Sequence, residues 1–155
     1  MNRNRMRHGL MLALATAVFG GLSITTGPSA SAATTLVPKV FKNPFDGDTG
    51  GVSAYAQLRE YQGVGYIVRY QAVFHAEGET LEVWDRLTDG SEATVVLKVY
   101  DRDNNLVDTD KFTTGKDHTF NLGTPDGSGN ITEGYKVRFI LSGGGYTTPP
   151  IEGIA

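Results

Sequence analysis

Tyr66-Ile-Val-Arg-Tyr-Gln-Ala-Val-Phe-His-Ala76 is the stretch on which the fold turns. Val68, Tyr70, Ala72 and Phe74 fall on one side of an extended chain, and Arg69, Gln71 and His75 on the other. A period of two marks a strand with one face buried and one face wet. Glu77-Gly78 then breaks the run. The pattern returns in Glu79–Asp85, with Leu81 and Val83 on one face and Glu82 and Trp84 opposite. Ala93–Asp101 repeats it, with Val95, Leu97 and Val99 inward and Thr94, Lys98 and Tyr100 outward.

Ser53–Tyr61, Leu106–Thr113, Lys116–Leu122 and Tyr135–Leu141 read the same way, the last with Tyr135, Val137, Phe139 and Leu141 inward. Thr88-Asp-Gly-Ser91 is a turn, and Asp103-Asn-Asn105 suits a hairpin because Asn tolerates positive φ. Seven or eight short alternating strands, 20 Gly and no segment of helical period predict an all-β antiparallel β-sandwich. A closed barrel is the alternative. The expected core comprises Val68, Tyr70, Phe74, Leu81, Val83, Val95, Leu97, Val99, Val137 and Phe139.

The ends of the chain read differently. Residues 1–32 have the form of a secretory signal peptide: Arg3, Arg5 and Arg7, then the apolar run Leu10–Phe19, then Ala30-Ser-Ala32 as a cleavage site. The apolar run is too short to span a bilayer. The expectation is cleavage after Ala32 and release into the extracellular medium. Residues 33–52 form an N-terminal arm and turn-rich segment, in which Pro38 demotes Thr35–Phe41 to an edge strand or extended arm. The sandwich is expected over residues 53–141. Residues 142–155, rich in Gly, Thr and Pro, read as a loosely ordered tail.

Charge and composition narrow the function. Without its leader the chain carries 11 Lys and Arg against 17 Asp and Glu, a net charge near −6. That balance disfavours nucleic acid and anionic membrane as partners of the mature form. There is no cysteine. Stability therefore rests on the core, and thiol catalysis, Cys-ligated zinc and a lipid anchor on Cys all fall away.

Phe74-His-Ala-Glu-Gly-Glu-Thr-Leu-Glu-Val-Trp-Asp-Arg-Leu-Thr-Asp-Gly-Ser-Glu-Ala-Thr-Val96 resembles small secreted actinobacterial β-sandwich proteins of unassigned function. They share a pattern of the form F-x-A-x-G-E-x-L-x-V-x-D-x-x-x-D-G-x-x-A. Glu133-Gly134-Tyr135 is similar to their later E-G motif. The resemblance implies a sandwich and carries over no catalytic residue. In physical terms the pattern is structural: Glu77-Gly78 reverses the chain, while Asp85 and Asp89-Gly90 cap a loop.

No residue set names a catalytic site. Asp126-Gly-Ser-Gly-Asn130 lacks the strand–helix setting of a nucleophile elbow, so Ser128 reads as part of a turn. Asn130-Ile-Thr132 is a sequon, relevant only in a eukaryotic pathway. Glu77, Glu79, Glu82 and Asp85 cluster in sequence, as a carboxylate hydrolase would need, but alternation sends Glu82 and Asp85 to opposite faces. Asp101, Asp103 and Asn105 offer hard oxygens at alternate positions, a candidate Ca²⁺ site. A hairpin turn accounts for them without a cofactor. His75 and His118 lack an evident third ligand for zinc.

Trp84 and Tyr100 both point away from the expected core, and flat aromatics on a sandwich face can stack on sugar rings. Glu82, Arg69 and His75 would flank them as polar partners. The competing reading places the lone Trp partly in the core. Two function classes follow. The preferred one is a non-enzymatic extracellular protein that binds a polysaccharide or another protein through a sheet face or loops. The alternative is a small hydrolase acting through the carboxylates of Glu77 to Asp85.

Overall fold

The computed structural model describes residues 34–44, 49–122 and 131–155. Within them the chain is all-β, with ten strands and no helix. These are β1 (Leu36–Asn43), β2 (Ser53–Tyr61), β3 (Tyr66–His75), β4 (Thr80–Asp85), β5 (Ala93–Tyr100), β6 (Leu106–Thr114), β7 (His118–Asn121), β8 (Lys136–Gly143), β9 (Tyr146–Thr147) and β10 (Ile151–Ile154). The first sheet has the order β1-β2-β3-β4-β7. The second runs β10-β8-β5-β6, with β9 added beside β8. Every pairing is antiparallel.

The alternation in the sequence becomes the core. Ala54, Ala56 and Leu58 of β2, Tyr70, Ala72 and Phe74 of β3, and Leu81 and Val83 of β4 meet Val95, Leu97 and Val99 of β5 and Val137, Phe139 and Leu141 of β8. Val68 does not join them. Leu58 pairs with Tyr70 but Arg59 pairs with Val68, so Arg69 is an extra residue in the ladder. That bulge turns Val68 to the face shared with Arg59, because cross-strand partners point the same way.

The C-terminal segment is ordered. Thr148 is buried, its Oγ1 accepting the Leu141 N–H at 3.1 Å. β10 pairs with β8, and Ile154 forms a two-way bridge with Val52 of the segment leading into β2. Ala155 is buried. The Gly and Pro content that suggests looseness instead serves a close approach. A Cβ on Gly153 would stand 2.5 Å from the Phe74 ring and 2.6 Å from the Val52 carbonyl. One on Gly143 would stand 2.7 Å from the Tyr70 ring.

Edges are handled locally. β1 closes one side of the first sheet and contains Pro38, which has no N–H to offer. β6 closes one side of the second sheet, bulged where Val99 and Tyr100 pair with Asp108 and Leu106.

The tight seat of Phe74 gives a direct test of the C-terminal strand. Gly153→Ala is expected to lower stability by about 1–3 kcal/mol, the usual range for forcing an extra group into a packed core. Urea unfolding of the variant should show a lower midpoint with an unchanged slope. An unchanged midpoint would mean that β10 is not docked on Phe74.

Candidate functional site

The outer face of the first sheet gathers most of the side chains with binding potential. Register aligns them in two rows across the strands. Phe41 pairs with Tyr55, Tyr55 with Val73, and Val73 with Glu82. Beside that row, Lys39 pairs with Gln57, Gln57 with Gln71, and Gln71 with Trp84. The Phe41 and Tyr55 rings stack at 4.6 Å with an interplanar angle of 9°. Phe41 is exposed, 39% of its surface reaching solvent. Val73 and Gln71 lie on this outer face and yet are buried, covered by neighbouring side chains.

Glu82 organises the other half. One carboxylate oxygen accepts the Trp84 Nε1–H at 2.7 Å, and the other lies 3.4 Å from His75 Nε2. Trp84 is half-buried, and the Arg86 guanidinium sits over its ring at 4.0 Å. Arg86 is exposed and lies 3.9 Å from Asp117, a pairing too loose to lock it in place. Removing Arg86 from the ring forgoes about 0.5–1 kcal/mol, a small sum beside stacking of a ligand. In the middle, Gln57 donates to Gln71 at 2.5 Å. The assembly can stack rings and exchange hydrogen bonds with hydroxyl groups.

Of the five ligand-binding residues expected from sequence, Trp84, Glu82 and His75 come together here. Tyr100 does not. It belongs to β5, in the other sheet, and its outward orientation places it on the opposite outer face. There Arg138 covers its ring at 5.0 Å, beside a shallow depression of about 130 Å³ lined by Val96, Lys98, Ile140 and Pro150. Arg69 is also elsewhere. The bulge delivers it to Glu60, which Nε reaches at 2.6 Å, and Glu60 pairs with the core residue Leu36. Lys39, Phe41, Tyr55 and Gln57 are not among the binding residues expected from sequence, and Gln71 is expected only as an outward residue of its strand. The inward positions of Ala54, Ala56 and Leu58 were the available signal for Tyr55 and Gln57; the pairing with β1 was not readable.

The carboxylates of residues 77–85 do not converge. Glu82 faces outward, whereas Asp85 is buried on the core side and accepts the Leu87 and Ala93 N–H groups, each at 3.2 Å. Burial pushes its carboxyl above the ordinary range, against the pull of those two donors. Asp85 is a clasp on the crossing from β4 to β5. Glu79, at φ 47°, accepts the Ile131 N–H at 2.9 Å. The geometry of two carboxylates across a cleft is absent from this group.

Asp101 spends its oxygens on the hairpin. Oδ1 accepts the N–H groups of Asp103 and Asn105, and Oδ2 accepts the Asn105 side-chain amide at 2.8 Å. The Asn105 amide, with those backbone donors, holds the carboxyl below its ordinary range. Asn104 takes the positive φ, 66°, that the turn needs. The three expected calcium ligands, Asp101, Asp103 and Asn105, thus build a turn. Among the described residues, no group of three or more His, Cys, Asp or Glu is placed to hold a metal. Residues 1–32, Ser128 and Asn130 lie outside the described residues.

Searches of protein-family models, curated proteins and solved structures find no match to this chain.

Tyr70 offers a readout of the packing beneath the site. Its side chain is buried, with Oη 3.5 Å from Asp89. Burial, helped by the charges of Asp89 and Asp85, pushes its hydroxyl from 10.0 up to about 12. The folded chain thus holds this proton more tightly than the unfolded chain, so the stability from Tyr70 is intact below pH 10.0 and is lost as pH rises towards about 12. In an absorbance titration, one of the seven tyrosines should ionise last, near pH 12. Tyr70→Phe should remove that last step. A Tyr70→Phe protein retaining it would assign the late step to another tyrosine.

Proposed function

We propose that the mature chain is a secreted, non-catalytic protein that binds an extracellular polysaccharide through the outer face of the first sheet. One observation carries this reading. The stacked Phe41–Tyr55 pair and the Trp84–Glu82–His75 group share one face of one sheet, with the Gln57–Gln71 amide pair set among them. Sugar rings present apolar C–H faces and a rim of hydroxyls. Aromatic rings answer the first, while amides, imidazole and carboxylate answer the second.

The shape agrees with a polymer ligand. Trp84 and Tyr55 stand two strands and two residues apart, about 12 Å between Cα positions from standard sheet spacings. A single small sugar would not engage both, but consecutive units of a chain would. A flat platform on paired strands also suits a ligand that extends past the protein at both ends. The leader-like residues 1–32 and the acidic balance of the rest support an extracellular place of action.

Trp84 is the only tryptophan, so binding reports itself through intrinsic fluorescence. Titration of the mature protein with soluble glycans should shift the emission. Trp84→Ala should weaken retention on the corresponding polysaccharide by about tenfold or more, the scale of losing a central aromatic anchor. Tyr55→Ala should weaken it less, and Tyr100→Ala should leave it unchanged. Equal retention of the Trp84→Ala and parent proteins would refute the reading.

A further inference from the structure

The charges on this face depart from those of the whole chain, and they narrow the class of polymer. The five strands of the first sheet contain three carboxylates: Glu60, Glu82 and Asp85. Glu60 shares the core-side register of Leu36 and is held by Arg69, and Asp85 is buried between the sheets. Glu82 alone points outward, and both of its oxygens are engaged by Trp84 and His75. Within these five strands no uncommitted carboxylate is left on the outer face; Asp117, just before β7, stands 3.9 Å from Arg86.

Besides Arg86 over the Trp84 ring, two cations of the strands themselves lie there. Lys39 pairs with Gln57 in register, and Arg59 lies two residues further along β2, so the two are diagonal neighbours. Such positions lie about 7–8 Å apart, close enough for both side chains to reach one anionic group. Lys39 is exposed and has no ion-pair or hydrogen-bond partner among the described residues. Arg59 rests over the Tyr66 ring at 4.8 Å, and its Nε is shielded from solvent without an acceptor. Beyond the Tyr66 ring, this guanidinium has no hydrogen-bond or ion-pair partner among the described residues. In a chain with 17 acidic residues against 14 basic ones, this is a local reversal of sign.

Building on the polysaccharide-binding reading, we infer that the polymer is acidic and carries its charge as a uronate carboxylate. The row Lys39–Gln57–Gln71–Trp84 crosses three strand spacings, about 14 Å. A sugar ring on Trp84, hydroxyls on the two glutamines and a carboxylate between Lys39 and Arg59 fit one polymer segment lying across the strands. A neutral glucan would leave both cations unanswered. A polymer with dense phosphate or sulfate charge would be repelled by the rest of the acidic chain, whereas one carboxylate per unit matches a pair of cations.

The test compares polygalacturonate, alginate and hyaluronan with methyl-esterified polygalacturonate, dextran sulfate and a neutral glucan, using the mature protein at low and high salt. The expected result is binding to at least one uronate polymer, weakened at least tenfold by esterification or by high salt. Lys39→Gln, on an exposed side chain, should reduce uronate binding several-fold, and Lys39→Gln with Arg59→Gln at least tenfold, while Arg59→Lys retains most of it. Trp84→Ala should weaken binding to every polymer bound by about tenfold or more. Equal binding to acid and ester forms, or indifference to Lys39→Gln and Lys39→Glu, overturns the acidic assignment while leaving the platform standing. Preference for dextran sulfate over every uronate polymer overturns the carboxylate assignment. Absence of any Trp84-dependent binding overturns the platform itself.

Discussion

Two aromatic rings of one sheet rest on two glycines of the other, and the spacing of the sandwich follows from that. Tyr70 and Phe74 are among the largest fully buried side chains, and they meet Gly143 and Gly153 where no Cβ could fit. Large against absent is a stringent form of interdigitation, because neither partner can be enlarged without moving backbone. It also explains why the glycine-bearing C-terminal segment is a strand and not a tail. With this contact in place, β3 is fixed from both sides. The outer residues of the same strand, Gln71, Val73 and His75, are then held at set heights on the opposite face.

The two outer faces of the sandwich are unequal. On the second sheet Arg138 is bound to Glu152 at 2.8 Å and Lys136 donates to Asn104, while the exposed Lys98 and Lys111 have no hydrogen-bond or ion-pair partner among the described residues. On the first sheet Glu82 is held by Trp84 and His75, and Lys39 and Arg59 have no ion-pair partner among the described residues. Aromatic rings concentrate on that face: Phe41 and Tyr55 stack on each other, and Trp84 stands near them. Tyr100 shows the contrast. It has the same outward orientation as Trp84, but its surroundings offer a shallow depression under a committed arginine.

Much of this was legible in the sequence wherever period two was unbroken. β4 and β5 gave their inward and outward sets without error, and the half-buried, outward Trp84 follows from Leu81 and Val83 alone. The failures share a cause. Val68 and Arg69 changed sides because a bulge adds one residue to the ladder, and alternation cannot see an insertion that sits in register with nothing. Tyr100 and Trp84 were assigned one face because orientation relative to the core is local, whereas membership of a sheet is decided by a crossing at Asp85 whose direction no period encodes. Phe41 was missed because its value depends on Tyr55, a neighbour across strands. The C-terminal strand was missed because glycine, which usually signals looseness, here signals contact.

The edges bear on how this protein behaves in company. A platform that holds a polymer concentrates copies of the chain along that polymer, side by side, at local densities far above those in free solution. Open strand edges at such density would knit neighbouring copies into sheets and turn a coating into a precipitate. Here β1 presents Pro38 and Lys39, β6 presents a bulge followed by Asp108, Asp110 and Lys111, and β7 and β10 are four residues each. On the proposed polysaccharide-binding reading, such guarded borders would let copies of the chain line up along one polymer without pairing edge to edge.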